Sequence, residues 1–184
     1  MNNPRWSPLV IIPVSAVSMP SYAIDYLTAE EAQQQIFSSE HQFVETPLLL
    51  SDDNKDQIKD LSGVRQRKNE QKFWKVMQGD QQVGWFTVDD VIGKHEYISY
   101  AVGIDLKGEV TGVEILSYRE THGGQVRQAD WRQQFVGKSL QDSVKLGKDI
   151  NNISGATLSC RNITDGVKRL LVIHKLFLIS QKVS

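Results

Sequence analysis

The chain has 184 residues, and its 21 lysines and arginines nearly balance its 22 aspartates and glutamates, for a formal net charge of −1. This balance argues against a nucleic-acid-binding protein, which needs a basic patch or stripe. The length suits one ordinary domain with its own core. The single cysteine, Cys160, excludes an intramolecular disulfide, and no Cys-x-x-Cys or His-Glu-x-x-His spacing indicates a metal site.

The first 23 residues have the composition of an export signal. Arg5 gives a weakly positive start, and residues 9–19 are apolar but too few for a bilayer span of ~20 residues. Ser21 and Ala23 supply small residues at the −3 and −1 positions of a cleavage site. We therefore predict a signal peptide over residues 1–23 and export to a periplasm or to the periplasmic face of a membrane. A misassigned start codon or an apolar tail is the alternative.

Residues 24–72 predict an N-terminal helical extension. Thr28 and Glu31 have the spacing of a capping box, which predicts a short helix over residues 29–37. Residues 56–61 predict one or two further helical turns.

The pattern changes to strands at residue 73. Four segments there are rich in β-forming residues and are joined by turn-like sequences: 73–77, 83–88, 97–104 and 109–118. They predict two hairpins. In the last segment, Thr111, Val113 and Ile115 form the more apolar alternating set, so we predict that this set faces the core.

Two helical patterns complete the chain. Residues 128–135 place Trp131 and Phe135 four positions apart, and residues 161–177 carry an apolar stripe with core-facing spacing. Strands followed by helices predict an α+β fold, in which an antiparallel β-sheet is backed by helices. We assign residues 73–184 to this main domain.

The run from Asn152 to Ser159 lies directly before the last helix and combines small residues with three hydroxyl side chains. Backbone N–H groups at a helix start are unpaired and the helix dipole is positive there, which suits a phosphate. Thr157 is a hydroxyl that could carry that phosphate covalently. The same residue types are common helix caps, and a simple cap is the alternative interpretation.

Four motifs follow one another along the chain: the hairpin over residues 103–113, the loop Tyr118-Arg119-Glu120-Thr121-His122-Gly123-Gly124, the segment from Trp131 to Lys138, and Ser154-Gly155-Ala156-Thr157-Leu158-Ser159. Together they resemble the FMN-binding domain family. That family includes the covalently flavinylated subunits of the sodium-pumping NADH:quinone reductase and of Rnf-type complexes. Their order and spacing extend the resemblance over residues 84–178.

The resemblance implies FMN joined through a phosphoester to Thr157, installed by a separate flavin transferase that uses FAD and a divalent metal. It also implies two groups of cofactor-binding residues. The first surrounds the attachment point: Ser154, Gly155, Ala156, Leu158 and Ser159. The second lies on the preceding loop: Tyr118, Glu120, Thr121, Gly123 and Gly124. For the loop, a plain turn with its polar side chains in solvent is the alternative.

One departure from the family concerns recognition by the transferase. The family usually has an acidic residue three positions before the serine of the attachment run, and Asn151 stands there in this chain.

These observations predict an exported flavoprotein that carries electrons through covalent FMN to a membrane-bound or cytochrome-type redox protein. No catalytic residue, metal or nucleic-acid partner is predicted. Two alternatives belong to other classes: a flavin-dependent reductase with its own small-molecule acceptor, and a non-flavin exported binding module.

Overall fold

The computed structural model describes residues 24–179, so the predicted signal peptide lies outside the described residues. The strands are β1 (Ile24–Asp25), β2 (Gln42–Glu45), β3 (Leu48–Leu49), β4 (Glu70–Gln71), β5 (Phe73–Gln78), β6 (Gln81–Ile92), β7 (Tyr97–Asp105) and β8 (Val110–Tyr118). The α-helices are α1 (Ala29–Ile36), α2 (Asp52–Ser62), α3 (Ala129–Arg132) and α4 (Thr157–Ile173). Two 3₁₀ turns flank α3 (Gly124–Arg127 and Gln133–Phe135), and a π-helical turn follows α4 (His174–Leu178). No helix in residues 24–179 has the length and apolar character needed to cross a membrane.

A six-stranded antiparallel sheet with the order β1-β8-β7-β6-β5-β2 forms the middle of the molecule, and β3 and β4 pair separately. The long strands β6, β7 and β8 follow one another as a meander. Each has buried side chains on both faces, because helices cover both faces of the sheet. The predicted α+β fold, an antiparallel sheet backed by helices, is confirmed.

The two faces of the sheet have separate apolar cores. The larger core lies under α4, whose Ile163, Val167 and Leu170 are fully buried. The smaller core lies under α1, where Ala32 packs with Phe86 from β6. The sheet is therefore the middle layer of three, and α4 crosses the face that carries the larger core.

Residues 24–72 are not only helical, which corrects the prediction of a helical extension. The helices α1 and α2 are present, and both begin with the capping boxes of Thr28 and Ser51. However, β1 pairs with β8 and β2 pairs with β5, so this region supplies both edges of the main sheet. Strands of two and four residues carry little periodic signal, and their partners in the sheet decide their conformation.

Thr111 lies on the opposite face from the one predicted. The pairing of β7 with β8 shifts register between Gly103 and Ile104, and this bulge reverses the alternation of β8. Val113 and Ile115 are buried in the larger core as predicted. Thr111 instead lies over Gly103, where any side chain would collide with its hydroxyl.

Candidate functional site

A cavity of about 400 Å³ lies beside the first turn of α4. Three segments line it: residues 155–159, residues 120–122 of the loop after β8, and Lys94 with His95 in the turn between β6 and β7. Cavities of this size are typical of sites for small molecules or parts of them. The segments are far apart in sequence, so the sheet and α4 together create the site.

The start of α4 has no side-chain cap. Thr157 is the first helical residue, and Ala156, at the N-cap, makes no side-chain hydrogen bond. The first backbone hydrogen bond of the helix runs from the Cys160 N–H to the Ala156 carbonyl. None of the hydroxyls of Ser154, Thr157 and Ser159 caps the helix, which is contrary to the interpretation of this segment as a simple helix cap. The first-turn amides can therefore serve a phosphate.

The Thr157 side chain is exposed and its oxygen is oriented by a neighbour. The Asn152 side-chain amide donates to Thr157 Oγ1 over 3.1 Å. Gly155 has φ 81°, a left-handed conformation that favours glycine, and it turns the chain into the helix. Asn152 therefore belongs to the site, although the sequence motif alone did not single it out.

Trp131 and Gln134 hold the loop that precedes residues 154–159. Trp131 Nε1 donates to the Asn151 carbonyl over 2.8 Å, and the Asn151 N–H donates to Gln134 Oε1 over 2.8 Å. The segment from Trp131 to Lys138 therefore fixes the residue that lies three positions before Ser154. Both bonds use the Asn151 backbone, which leaves its side chain exposed.

Glu120 fixes the opposite wall of the cavity. Its Oε1 accepts the backbone N–H groups of His95 (2.6 Å) and Glu96 (3.1 Å), which ties the loop after β8 to the β6–β7 turn. Partial burial raises the pKa of this carboxyl, but hydrogen bonds from the backbone of that turn outweigh burial, and the net pKa lies below 4.5. Gly93 makes room for the carboxylate, because a Cβ there would lie 2.5 Å from Glu120 Oε1.

Tyr118 is a buried link between the loop and α4, with only 4% of its surface exposed. Its hydroxyl donates to the His122 carbonyl over 2.6 Å and lies 3.1 Å from Ser159 Oγ. Burial raises the pKa of this phenol, which stays protonated. Gly123 packs beneath it, where a Cβ would lie 2.7 Å from the Tyr118 oxygen and 2.8 Å from Ala156 Cβ.

The structure brings seven of the predicted site residues together around the cavity: Glu120, Thr121, Gly155, Ala156, Thr157, Leu158 and Ser159. Four others do not line it: Tyr118, Gly123, Gly124 and Ser154. Tyr118 and Gly123 support the walls, Gly124 begins the 3₁₀ turn before α3, and Ser154 is exposed. Cys160, the residue after Ser159 in α4, is fully buried and packs as a small core residue.

Sequence reasoning missed two residues of the cavity wall. Lys94 and His95 lie in a turn outside all four motifs, and only the pairing of strands carries them to Thr157. They place basic groups opposite the start of α4. A cavity with an exposed hydroxyl, an uncapped helix start and two basic side chains fits a phosphate ester. Leu158, 43% exposed, adds an apolar surface beside it.

Comparison with known proteins agrees with this chemistry. Residues 93–172 match the model of the FMN-binding domain family. One subunit of the ion-translocating oxidoreductase complex of Shewanella oneidensis is 36% identical over 88 residues, which cover 42% of this chain and 42% of that protein. One subunit of the Na⁺-translocating ferredoxin:NAD⁺ oxidoreductase complex of Acetobacterium woodii is 28% identical over 87 residues, with 42% of each chain covered. This chain thus matches less than half the length of these relatives.

A solved structure shares the fold. The crystal structure of Shewanella oneidensis NqrC superposes with a TM-score of 0.55 at 18% sequence identity, over 82% of this chain and 88% of that one. The likeness covers more of the chain than residues 93–172, so the two proteins share the α+β fold over most of this chain.

Proposed function

Over residues 93–172 this chain belongs to the FMN-binding domain family, and from that premise we propose that it carries FMN as a phosphoester on Thr157 and transfers electrons through it. We propose that residues 73–184 form the FMN-binding part of this fold, on a sheet whose two edge strands come from residues 24–72. The exposed Thr157 hydroxyl at the uncapped start of α4 is the observation that carries the proposal.

The charges around Thr157 support a phosphate at its oxygen. The first-turn amides of α4 and the positive end of its dipole favour an anion at this place. Lys94 and His95 line the facing wall and add donors that can make charge-assisted hydrogen bonds. Glu120 supports them indirectly, because it holds the backbone of their turn.

FMN, when bound, supplies reversible redox chemistry, and the protein supplies its position and its electrostatic surroundings. Among the described residues, Leu158 offers an exposed apolar contact next to the attachment point, and Thr121 and His122 offer polar atoms across the cavity. Tyr118 holds the backbone of this loop in place through the His122 carbonyl.

Attachment needs a partner enzyme. A neutral hydroxyl is a poor nucleophile without a base. Thr157 Oγ1 accepts a hydrogen bond from the Asn152 side-chain amide, which is not a base. We therefore propose that a flavin transferase, using FAD and a divalent metal, transfers the FMN half of FAD to Thr157 Oγ1 and releases AMP. The Asn151 side chain, six residues before Thr157, is exposed, and we propose that the transferase contacts it.

The relatives suggest where the electrons go. The matched subunits from Shewanella oneidensis and Acetobacterium woodii belong to ion-translocating oxidoreductase complexes, which supports a membrane-bound or cytochrome-type redox partner for this chain. The apolar segment within residues 1–23 supports export, so we propose that the domain works in the periplasm or at the periplasmic face of the membrane.

Intact mass spectrometry tests the attachment. The full chain is produced in the periplasm with a flavin transferase, and we expect a mass increase that corresponds to one FMN. Thr157→Val should abolish the increase, whereas Thr121→Val, which removes a hydroxyl from the same cavity, should retain it. An unmodified wild-type chain would overturn the proposal, and an adduct that persists in Thr157→Val would move the site to Ser154 or Ser159.

Two further measurements test recognition by the transferase and the choice between an electron carrier and a reductase. Asn151→Asp restores the acid usual in the family, and we expect a larger labelled fraction if the transferase reads this position. Steady-state turnover with a soluble electron donor and a small-molecule acceptor would instead favour the reductase alternative. A carrier should be reoxidised quickly by a protein partner.

A further inference from the structure

A second cavity, of about 600 Å³, lies next to the first. The two share the β6–β7 turn: Ile92 and Tyr97 at its base line the second cavity, while Lys94 and His95 between them line the first. The segment 64–68 forms the outer wall of the second cavity and lies outside the part of the chain that matches the family. This site is therefore built partly from residues that the family resemblance does not cover.

The cavity lining has an excess of positive charge, because five arginine and lysine side chains line it against the three carboxylates of Asp89, Asp90 and Asp165. Arg65, Arg67 and Arg119 line the cavity with exposed side chains, and none of them forms an ion pair with a side chain of residues 26–179. Lys68 is already paired, with its Nζ 2.7 Å from Asp90 Oδ2. Guanidinium groups present forked donors that match carboxylate and phosphate oxygens. The unpaired arginines thus favour an anionic ligand.

The inner wall is a buried polar network in which some side-chain atoms have no hydrogen-bond partner. Arg169 and Asp89, which are 8% and 2% exposed, form an ion pair, and the Tyr100 hydroxyl donates to Asp89 over 2.9 Å. Arg169 Nε and Gln66 Oε1 are two of only four buried side-chain polar atoms in the described residues that have no partner. Both residues line this cavity. Unpaired buried polar atoms are costly, so a polar ligand that approaches them has something to gain.

Apolar surface completes the site. Ile92 is 47% exposed and Tyr97 is 61% exposed, and Val64 lies on the facing segment. Large exposed apolar side chains beside a polar cavity are typical of ligand sites, where they contact the body of an organic molecule. The ring of Tyr97 can also stack on a flat ligand.

We propose that this second cavity binds a small organic anion, with an apolar or aromatic body against Tyr97 and Ile92 and a carboxylate or phosphate head toward Arg119 and Arg67. The site stands independently of the proposed flavin attachment. It lies close to it, however, because Asn162 lines the cavity only five residues after Thr157, about 7.5 Å along the helix axis. Asn162 also donates to the Ile92 carbonyl over 2.6 Å and so fixes the wall between the two cavities.

Calorimetric titration of the unmodified full chain tests the proposal with three probes of similar shape. Benzoate and phenyl phosphate carry the two anionic heads, and benzamide is the neutral control. We expect saturable binding of at least one anion. Benzamide should bind at least about tenfold more weakly than that anion, because the loss of one hydrogen bond to a charged group costs about that much affinity. The anion that binds more tightly identifies the preferred head group. Comparing phenyl phosphate with inorganic phosphate shows whether the aromatic ring contributes to binding.

Variants locate the site. Arg119→Gln and Arg67→Gln should each weaken anion binding about tenfold. Lys107→Gln removes one exposed positive charge at the other end of β7 and should leave binding unchanged. Two arginines from different segments are tested because either variant alone could disturb folding, which circular dichroism would reveal.

Three results would overturn the proposal. If neither benzoate nor phenyl phosphate binds more tightly than benzamide, the site does not select an anion. Unchanged anion affinity in both arginine variants would show that the probes bind elsewhere. Complete loss of probe binding after FMN is attached at Thr157, with binding intact in the unmodified chain, would assign the cavity to the flavin itself.

Discussion

Removing the Glu120 carboxylate should weaken the domain even before any flavin is attached. Glu120 Oε1 accepts two backbone N–H groups from the β6–β7 turn, at 2.6 and 3.1 Å. Hydrogen bonds to a charged acceptor contribute about 1.5–3 kcal/mol each when buried, and this partly exposed pair should contribute about 2 kcal/mol in total. For a chain of this size, Glu120→Ala should then lower the melting temperature by about 4–8 °C.

The conservative variant and the pH dependence sharpen this prediction. Glu120→Gln keeps an acceptor oxygen but loses the charge, so it should lose about half as much free energy of unfolding. The folded-state pKa of Glu120 is depressed below 4.5, so its contribution is present above pH 4.5 and is lost as the pH falls through the folded pKa. The difference between wild type and Glu120→Gln should therefore shrink on acidification.

Urea unfolding of the unmodified chain at several pH values measures both effects. Glu96→Ala is the matched control, because it removes an exposed carboxylate from the same turn and leaves the backbone bonds to Glu120 in place. If Glu120→Ala and Glu96→Ala have the same stability as wild type, while only the flavinylated spectrum changes in Glu120→Ala, our assignment is refuted. Glu120 would then act through direct flavin contact.

Gly123→Ala should destabilise the domain by about 2 kcal/mol or more in chemical unfolding, because φ is 88° there and a Cβ would press on the Tyr118 hydroxyl. Gly137→Ala has a similar φ of 77° with open space around it and should lose only about 1 kcal/mol; equal losses would show that backbone strain alone is responsible. His174 is buried, and burial lowers its pKa from 6.5 to about 4 despite the opposing charge of Asp105. Because the unfolded chain takes up the proton first, stability should fall as the pH drops from 6.5 to about 4, and His174→Gln should flatten that slope; an unchanged slope would contradict the assignment.

The sequence predicted the parts of the fold that depend on local pattern. Both hairpins lie close to their predicted positions, and the capping box at Thr28 begins α1. The last helix begins at Thr157, four residues earlier than its apolar stripe predicted, because a helix start without a cap leaves little trace in sequence. Residues 128–135 form a short α-helix followed by a 3₁₀ turn and not one continuous helix.

Features that depend on contacts between distant segments were not accessible from the sequence. The edge strands β1 and β2 are stabilised by their partners, and the bulge that turns Thr111 to the other face depends on the register of two strands. In the site, the motif residues Thr157 and Glu120 were predicted, but Lys94 and His95 reach the cavity only through the β6–β7 turn. Motifs identify residues with a local signature, whereas residues contributed by an ordinary turn have none.

The pairing of β1 with β8 fixes where the described part of the chain begins relative to the first cavity. Ile24 lies opposite Tyr118, the residue that leads into the Glu120 loop, so the polypeptide enters the fold beside the proposed flavin. At the other end, Leu178 lies 21 residues beyond Thr157, about 30 Å along a helical path. A reporter attached at Ile24 would therefore lie near the start of α4, whereas one attached at Leu178 would lie about a helix length away from it.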